Sequence, residues 1–280
     1  MSGPFSIWIV SPPGYLHSRC FEEAALALRE AFAALGFDAP VVTDPAHIRG
    51  RAVTLGANLL PRLSEPLSPE LILYNLEQVQ RDSPWLKSGY IDLLRRYPVW
   101  DYSERNIAEL KAYGVTAALC GIGYMPGLTR IPKAAEDIDV LFVGSMNPRR
   151  YAVLERIARR GKNVVAPFNI YGEQRDAFIA RAKLVLNLHF YEAQVFEIVR
   201  VSYLLANRKC VVSESGYDEA LEAQLKAGVA FAPYDDLADT CLQLLDNASE
   251  RARLAAAGFE RFSSMSQVPL LKRALDCLPA

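Results

Sequence analysis

The sequence predicts an α/β protein of two lobes, each built on a parallel sheet whose carboxyl edge faces a shared cleft. Three observations predict it. Between Asp139 and Tyr234, apolar runs of four to six residues, rich in Val, Leu and Phe, recur without polar alternation, the pattern of strands buried on both faces of a parallel sheet. Amphipathic stretches fall between those runs, as parallel crossovers require. The first half repeats the rhythm less regularly.

In chain order, Phe5–Val10 reads as the first strand and Pro12-Pro13-Gly14 forces a loop after it. Ser18 is placed to cap a helix running to Leu35, where Gly36 stops it. Strands follow at Pro40–Thr43, Ala52–Leu55, Leu71–Asn75, Val99–Trp100 and Thr116–Cys120, with helices Lys87–Arg96 and Glu104–Tyr113 between the later ones. Pro126 to Asp137 carries two prolines and mixed charges and reads as the linker between lobes. Beyond it the strands DVLFVGS, NVVAPF, KLVLNLHFYE, KCVVSES and GVAFAPY are interleaved with amphipathic helices that include Arg150–Arg160, Glu173–Lys183 and Val195–Asn207. A last helix, Val268–Leu278, has Leu270, Leu271, Ala274, Leu275 and Leu278 at helical spacing. The expected organisation is an N-terminal domain at 1–130, a second domain at 131–265, and a terminal helix at 266–280.

Composition narrows the classes of function. The 280 residues are 51% hydrophobic and 22% charged, enough for a buried core. Thirty-one basic against 32 acidic side chains give a net charge of -1, so no global field draws the chain to nucleic acid or an anionic membrane. Five scattered cysteines and three histidines lack metal-ligand spacing, and no metal site is expected. No apolar stretch reaches membrane-spanning length and no signal peptide is legible, which makes the cytoplasm the expected compartment.

Ligands of open parallel sheets bind outside the carboxyl ends of the strands. Those ends carry Gly144-Ser145-Met146-Asn147-Pro148-Arg149-Arg150, then Asn187-Leu188-His189-Phe190-Tyr191-Glu192, then Ser213-Glu214-Ser215-Gly216. Backbone amides at Gly144 and Ser145, with Asn147 at the helix start and a guanidinium from Arg149 or Arg150, suit a diphosphate leaving group. Solvated arginines on a first turn are the alternative, although the helix dipole disfavours them there. Asn187 and His189 are two residues apart and share a side of their strand. His189 suits a phosphate or sugar hydroxyl, or is a core histidine satisfied by backbone groups. Tyr191 is placed to stack on a base or ribose, or simply to pack.

The order VLFVGS … IARAKLVLNLHFYE … FEIVRVSYLLANRKCVVSES … GVAFAPYDDLADTCLQLLDNASERARLAAAGFERF resembles the donor-binding half of GT-B glycosyltransferases of the group 1 type. The resemblance implies two Rossmann-like lobes, a nucleotide-sugar as co-substrate, and a terminal helix that crosses back to the first lobe. It also implies that a glutamate on the helix after LVLNLHF binds the donor ribose, for which Glu197 is the match in kind, and that Glu214 contacts the donor sugar. Arg200 lies three residues beyond Glu197, so the two are also spaced as an ordinary helix-surface pair. One departure stands out. The glutamate pair spaced E-x-x-x-x-x-x-x-E in many retaining members is absent, because the position eight after Glu192 is Arg200. The stereochemical outcome is therefore not carried over.

In the first lobe, His17 follows the Pro-Pro-Gly loop and is a candidate general base for an acceptor hydroxyl. Glu77 and Asp101 are the other candidates, each issuing from a buried strand; Asp101 equally fits a turn before Glu104. The leading expectation is a glycosyltransferase acting on a saccharide, lipid-linked or protein acceptor without a required metal. A non-catalytic nucleotide-sugar-binding module and a nucleotide-sugar epimerase are the alternatives. Kinase and dehydrogenase readings lack their glycine motifs.

Overall fold

The computed structural model describes residues 3–63, 68, 70–79, 89–190 and 195–278. The chain divides into two compact units, Met1–Gly127 with Ser266–Ala280, and Leu128–Met265.

The first unit contains β1 (Phe5–Ile9), α1 (Glu22–Ala34), β2 (Val41–Val42), β3 (Arg51–Leu55), β4 (Leu71–Asn75), α2 (Tyr90–Leu94), β5 (Val99–Asp101), α3 (Glu104–Ala112) and β6 (Ala117–Leu119). Among the described residues these strands form a six-stranded parallel sheet in the order β2-β1-β3-β4-β5-β6. The strands were legible because β1 and β4 are buried at every position, leaving no polar face to hide the run. The first helix differs from expectation. Ser18 does not cap it: its hydroxyl donates to Val10 O at 2.6 Å, and Leu16–Phe21 form a 3-10 turn before α1 begins. His17 therefore sits on an ordered turn rather than in an open loop. Lys87, where the next helix was expected to start, lies outside the described residues, and α2 opens at Tyr90 after Gly89.

The second unit contains β7 (Ile138–Leu141), α4 (Pro148–Ala158), β8 (Val164–Val165), α5 (Gly172–Arg181), β9 (Ala182–Asn187), α6 (Ile198–Ala206), β10 (Val211–Glu214), α7 (Glu219–Leu225), β11 (Val229–Ala232), α8 (Leu237–Asp246) and α9 (Ala248–Ser263). Its described strands form a five-stranded parallel sheet, β11-β10-β9-β7-β8. Side-chain alternation decides what each face meets. Val140, Phe142, Leu184, Leu186, Leu188 and Val212 pack with Val153 and Ile157 of α4 and with Leu237 and Cys241 of α8. Asn187 and Ser213 point the other way and hydrogen-bond each other at 3.0 Å.

Residues 128–131 do not behave as a free linker. Thr129 Oγ1 donates to Ala206 O, Asn207 Oδ1 accepts from Arg130 N and Ile131 N, and Asn207 Nδ2 donates to Leu128 O. The Thr129 hydroxyl satisfies the Ala206 carbonyl at the C-terminal end of α6, and the Asn207 side chain satisfies the backbone of residues 128, 130 and 131.

The last helix, α10 (Gln267–Asp276), belongs to the first unit and packs on α1 through buried Leu271, Ala274 and Leu275. Gln267 is buried and anchors it. Its Oε1 accepts from Gly123 N at 2.6 Å and its Nε2 donates to Gly121 O at 3.1 Å. Gln267→Ala is expected to cost about 1–3 kcal/mol, because it strands a buried amide and a carbonyl. Trp8, Trp85 and Trp100 all fall in this unit, so tryptophan fluorescence in urea measures the loss. A loss below about 0.5 kcal/mol would mean that the apolar face alone holds the helix.

Candidate functional site

In the second unit the strand order reverses between β7 and β9, the position where open α/β sheets bind ligands. The turn after β7 leads into α4. Asn147 starts that helix: its Oδ1 accepts from Arg150 N at 2.8 Å, Pro148 occupies the first turn, and its Nδ2 donates to Phe190 O at 3.2 Å. Gly144 lies where a Cβ would come within 3.3 Å of Arg150 Nη1 and 3.5 Å of Arg200 Nη2. Two guanidinium groups thus approach one stretch of bare backbone, with Ser145 next to it.

Arg150 is only 2% exposed. It lies 5.1 Å from the ring centres of both Phe142 and Phe190, and donates from Nη1 to Ser145 O at 2.8 Å and from Nη2 to Leu188 O. Its Nε has no partner among the described residues. Burial, and then the neighbouring charge of Arg200, push this guanidinium down to about 10, with Glu197 pulling the other way.

Arg149 has a different role from its neighbour. It forms a two-pronged ion pair with Glu214, stacks 4.0 Å over the Tyr234 ring, and donates to His189 O at 3.3 Å. Glu214 is 1% exposed and also accepts from His189 N at 3.1 Å. Of the two arginines offered for a diphosphate, the structure places Arg149 on Glu214. Arg149 spends its charge on a buried carboxylate, and the guanidinium beside Arg150 at Gly144 is that of Arg200.

Glu197 and Arg200 do not form the simple pair that their spacing allows. Glu197 precedes α6 with non-helical backbone angles, and the two residues meet through Asn187. Asn187 Nδ2 donates to Glu197 Oε2 at 3.1 Å, while its Oδ1 accepts from Arg200 Nη1 at 2.9 Å. His189 is 0% exposed, with Nδ1 3.0 Å from Glu197 Oε2, an ion-pair distance without hydrogen-bond alignment. Its Nε2 has no partner among the described residues. Burial alone would raise the Glu197 carboxyl, yet His189, Arg200 and Asn187 draw it below the usual glutamate range. The glutamate is thus held as an anion by the Asn187 hydrogen bond and by its proximity to His189 and Arg200.

The sequence reading named His189 but not its pairing with Glu197, although a signal existed. Counting eight back from Glu197 reaches His189, so a histidine stands at the spacing where a glutamate was sought. Ser213 was visible as a polar residue in an apolar strand. Tyr234 had no local signal, because its partner Arg149 is 85 positions away. Tyr191 lies outside the described residues.

Three guanidinium groups, of Arg149, Arg150 and Arg200, face the two carboxylates Glu197 and Glu214. The guanidinium groups here outnumber the carboxylates by one. Buried cationic surface with unpartnered N–H groups is suited to an anion such as a phosphate. Among the described residues, no group of three or more His, Cys, Asp or Glu side chains is arranged to hold a metal. No helix of the described residues is long and apolar enough to cross a membrane.

In the first unit the strand order reverses between β1 and β3. Tyr15 and His17 follow β1, with their rings 5.3 Å apart, and Arg62, in the turn after β3, lies 5.3 Å over the Tyr15 ring. Asn58, after β3, donates to Glu77 Oε1 at 2.9 Å. Asp101 is fully buried at the end of β5. It accepts from Asn75 Nδ2 at 2.6 Å, Ser103 N at 2.9 Å and Asn106 Nδ2 at 3.1 Å. The structure thus brings Glu77 and Asp101 into one network, with His17 on the neighbouring turn.

Two units of parallel sheet, each with its switch point at the carboxyl edge, define the GT-B fold, and the chain has the fold of the glycosyltransferases that its sequence resembles. AviGT4, a glycosyltransferase involved in avilamycin A biosynthesis, matches 98% of this chain over 96% of its own at a TM-score of 0.61 and 13% identity. Anabaena HepE in complex with UDP and glucose matches 99% of this chain over 100% of its own at a TM-score of 0.62 and 13% identity. A mutant of S. aureus TarM in complex with fondaparinux, α-GlcNAc-glycerol and UDP matches 80% of this chain at a TM-score of 0.60 and 14% identity. Here the chain spans 54% of the TarM length. In sequence, the chain is 27% identical over 220 residues to uncharacterized protein L140 of Acanthamoeba polyphaga mimivirus, covering 74% of this chain and 67% of that one. No protein-family profile matches it.

Proposed function

We propose that this protein is a glycosyltransferase that moves a sugar from a nucleotide-sugar to a hydroxyl-bearing acceptor. The observation that carries the reading is the cationic site at the switch point of the second unit, where Arg150 and Arg200 approach Gly144. The presence of UDP in the TarM and HepE structures supports it. In the reaction, the bond from the anomeric carbon to the diphosphate oxygen breaks and a bond to the acceptor oxygen forms. The acceptor proton passes to a base. Arg150, Arg200 and the Gly144-Ser145 backbone stabilise the charge growing on the departing diphosphate. They do so without a required metal. Glu197, held as an anion, accepts from donor hydroxyls, and His189 Nε2 supplies a further polar contact. The five free thiols suit a reducing compartment, and we place the protein in the cytoplasm.

The test is a thermal-shift screen against UDP, GDP, CMP, dTDP and ADP, followed by assay of the matching sugar nucleotides. A nucleotide at one hundred times its dissociation constant stabilises the chain by about 2.7 kcal/mol. One of the five is expected to raise the melting temperature by about 5–10 °C. No shift with any of them would remove the donor reading. Binding without turnover would favour a non-catalytic module, and interconversion of the donor without acceptor an epimerase.

A further inference from the structure

We infer that His189 is the proton carrier of the diphosphate site: its Nε2 takes a proton from solvent when a diphosphate binds and returns it when the diphosphate leaves. The inference rests on the donor reading of the second unit and names the residue through which that unit answers the charge of its ligand.

His189 lies just past β9 and is 0% exposed. Its backbone is fixed on both sides. His189 N donates to Glu214 Oε2 at 3.1 Å, His189 O accepts from Arg149 Nη1 at 3.3 Å, and the preceding carbonyl, of Leu188, accepts from Arg150 Nη2. The ring presents Nδ1 to Glu197 Oε2 at 3.0 Å. A carboxylate at that distance favours the tautomer with its proton on Nδ1, which leaves the lone pair on Nε2. Nε2 is buried and has no partner among the described residues. A buried acceptor without a donor is costly, so Nε2 is the atom of this site open to a proton. Once protonated it becomes a buried donor, and the acceptor it lacks is what a phosphate oxygen offers.

Charge explains why the proton waits for the ligand. Around the imidazole stand Arg149 and Arg150 from α4, Glu197 and Arg200 at the N-terminal end of α6, Glu214 from β10 and Glu222 from α7, with Asp218 and Glu219 neighbouring Glu222. Glu222 accepts from Gly216 N at 2.6 Å and lies within electrostatic reach of His189. With Glu222 counted, guanidinium groups and carboxylates stand three against three. An imidazolium added to that balance would be a surplus charge in a buried place, which desolvation opposes. A nucleoside diphosphate brings about two or three negative charges. Histidine is the side chain that changes charge near neutral pH, so His189 takes the balancing proton. Proton and diphosphate then favour each other's binding. By linkage, affinity for the diphosphate falls as pH rises, by at most about tenfold per unit for one proton.

Calorimetric titration of UDP into the intact protein, in two buffers of different ionisation enthalpy, counts the protons taken up. The working pH is about 7.5, roughly one unit above an unperturbed histidine. Wild type is expected to take up more than about half a proton per UDP and His189→Gln close to none, its affinity flat over about pH 7–9 where that of wild type declines. Any proton carried by UDP itself, whose terminal phosphate ionises at about 6, is common to both proteins. Spectra of protein labelled in the histidine ring nitrogens read the group directly, since the chain has only His17, His47 and His189. The His189 signals are assigned by their loss in His189→Gln or, should that variant not fold, by removing His17 and His47 in turn. They should show a bare Nε2 without nucleotide and a protonated one with UDP at the same pH. Equal proton uptake by the two proteins, or an imidazole in the same state with and without UDP, would overturn the inference and leave the donor reading standing. Failure of both UDP and inorganic pyrophosphate to bind the wild type would sink the donor reading itself, and this inference with it.

Discussion

Replacing Arg149 by Met is expected to destabilise the second unit by about 3 kcal/mol while changing nucleotide affinity little. Glu214 is 1% exposed and receives two hydrogen bonds from the Arg149 guanidinium, which is itself 28% exposed. Stranding a buried carboxylate costs about 3–5 kcal/mol, and the partial exposure of the arginine puts this pair at the lower end. The loss of stacking on Tyr234 adds to it. For a chain of this size the melting temperature should fall by about 6–12 °C. The tryptophans all lie in the other unit, so far-ultraviolet circular dichroism is the appropriate probe. Adding Glu214→Gln should recover part of the loss, because the stranded charge is then gone. If Arg149→Met instead leaves stability within about 0.5 kcal/mol and weakens nucleotide binding tenfold, the arginine belongs to the ligand and the ion pair is incidental.

The different fates of the adjacent Arg149 and Arg150 show what a sequence carries and what it does not. The strands of the second unit were legible because each is short, apolar and bounded by turn residues. Their carboxyl ends were then fixed by the direction of the chain. Gly144, Asn147, Asn187 and His189 could therefore be placed at one sheet edge without a structure. What each guanidinium touches was not legible. Glu214 is 65 positions from Arg149, and no local pattern encodes a contact of that range. Helix boundaries failed for a related reason. The stretch beginning at Val195 has the apolar periodicity of a helix, yet α6 starts at Ile198, because Glu197 is held by Asn187 and His189 outside the helical conformation. Ser18 has the chemistry of a cap but serves the end of β1. In the first unit, Asn58, Asn75 and Asn106 carry no periodic signal at all. Their role emerges only where β3, β4 and β5 lie side by side.

Arg200→Met should weaken binding of the nucleoside diphosphate by roughly 10- to 150-fold, the 1.5–3 kcal/mol that accompanies loss of a charged hydrogen bond. Arg200 is the guanidinium best placed to show a pure ligand effect. It is half-buried, its Nη1 donates to Asn187 Oδ1 at 2.9 Å, and its Nη2 approaches the position beside Gly144. Arg150 is less suitable, since it also supports Ser145 O and Leu188 O and fills the space between two phenylalanine rings. Without ligand, Arg200→Met leaves Asn187 short of one donor and should cost only about 1 kcal/mol. The removed like charge also relieves Arg150, whose guanidinium Arg200 pushes down. Two further readouts separate charge from geometry. The fall of affinity with added salt should flatten, because one cation facing the diphosphate is gone. Arg200→Lys keeps that cation but loses the planar fork, so its affinity should lie between wild type and Met. Calorimetric titration with the nucleotide found by the thermal screen measures all three proteins. Equal affinities in wild type and Arg200→Met, in a protein that still melts cooperatively, would place the diphosphate away from Gly144.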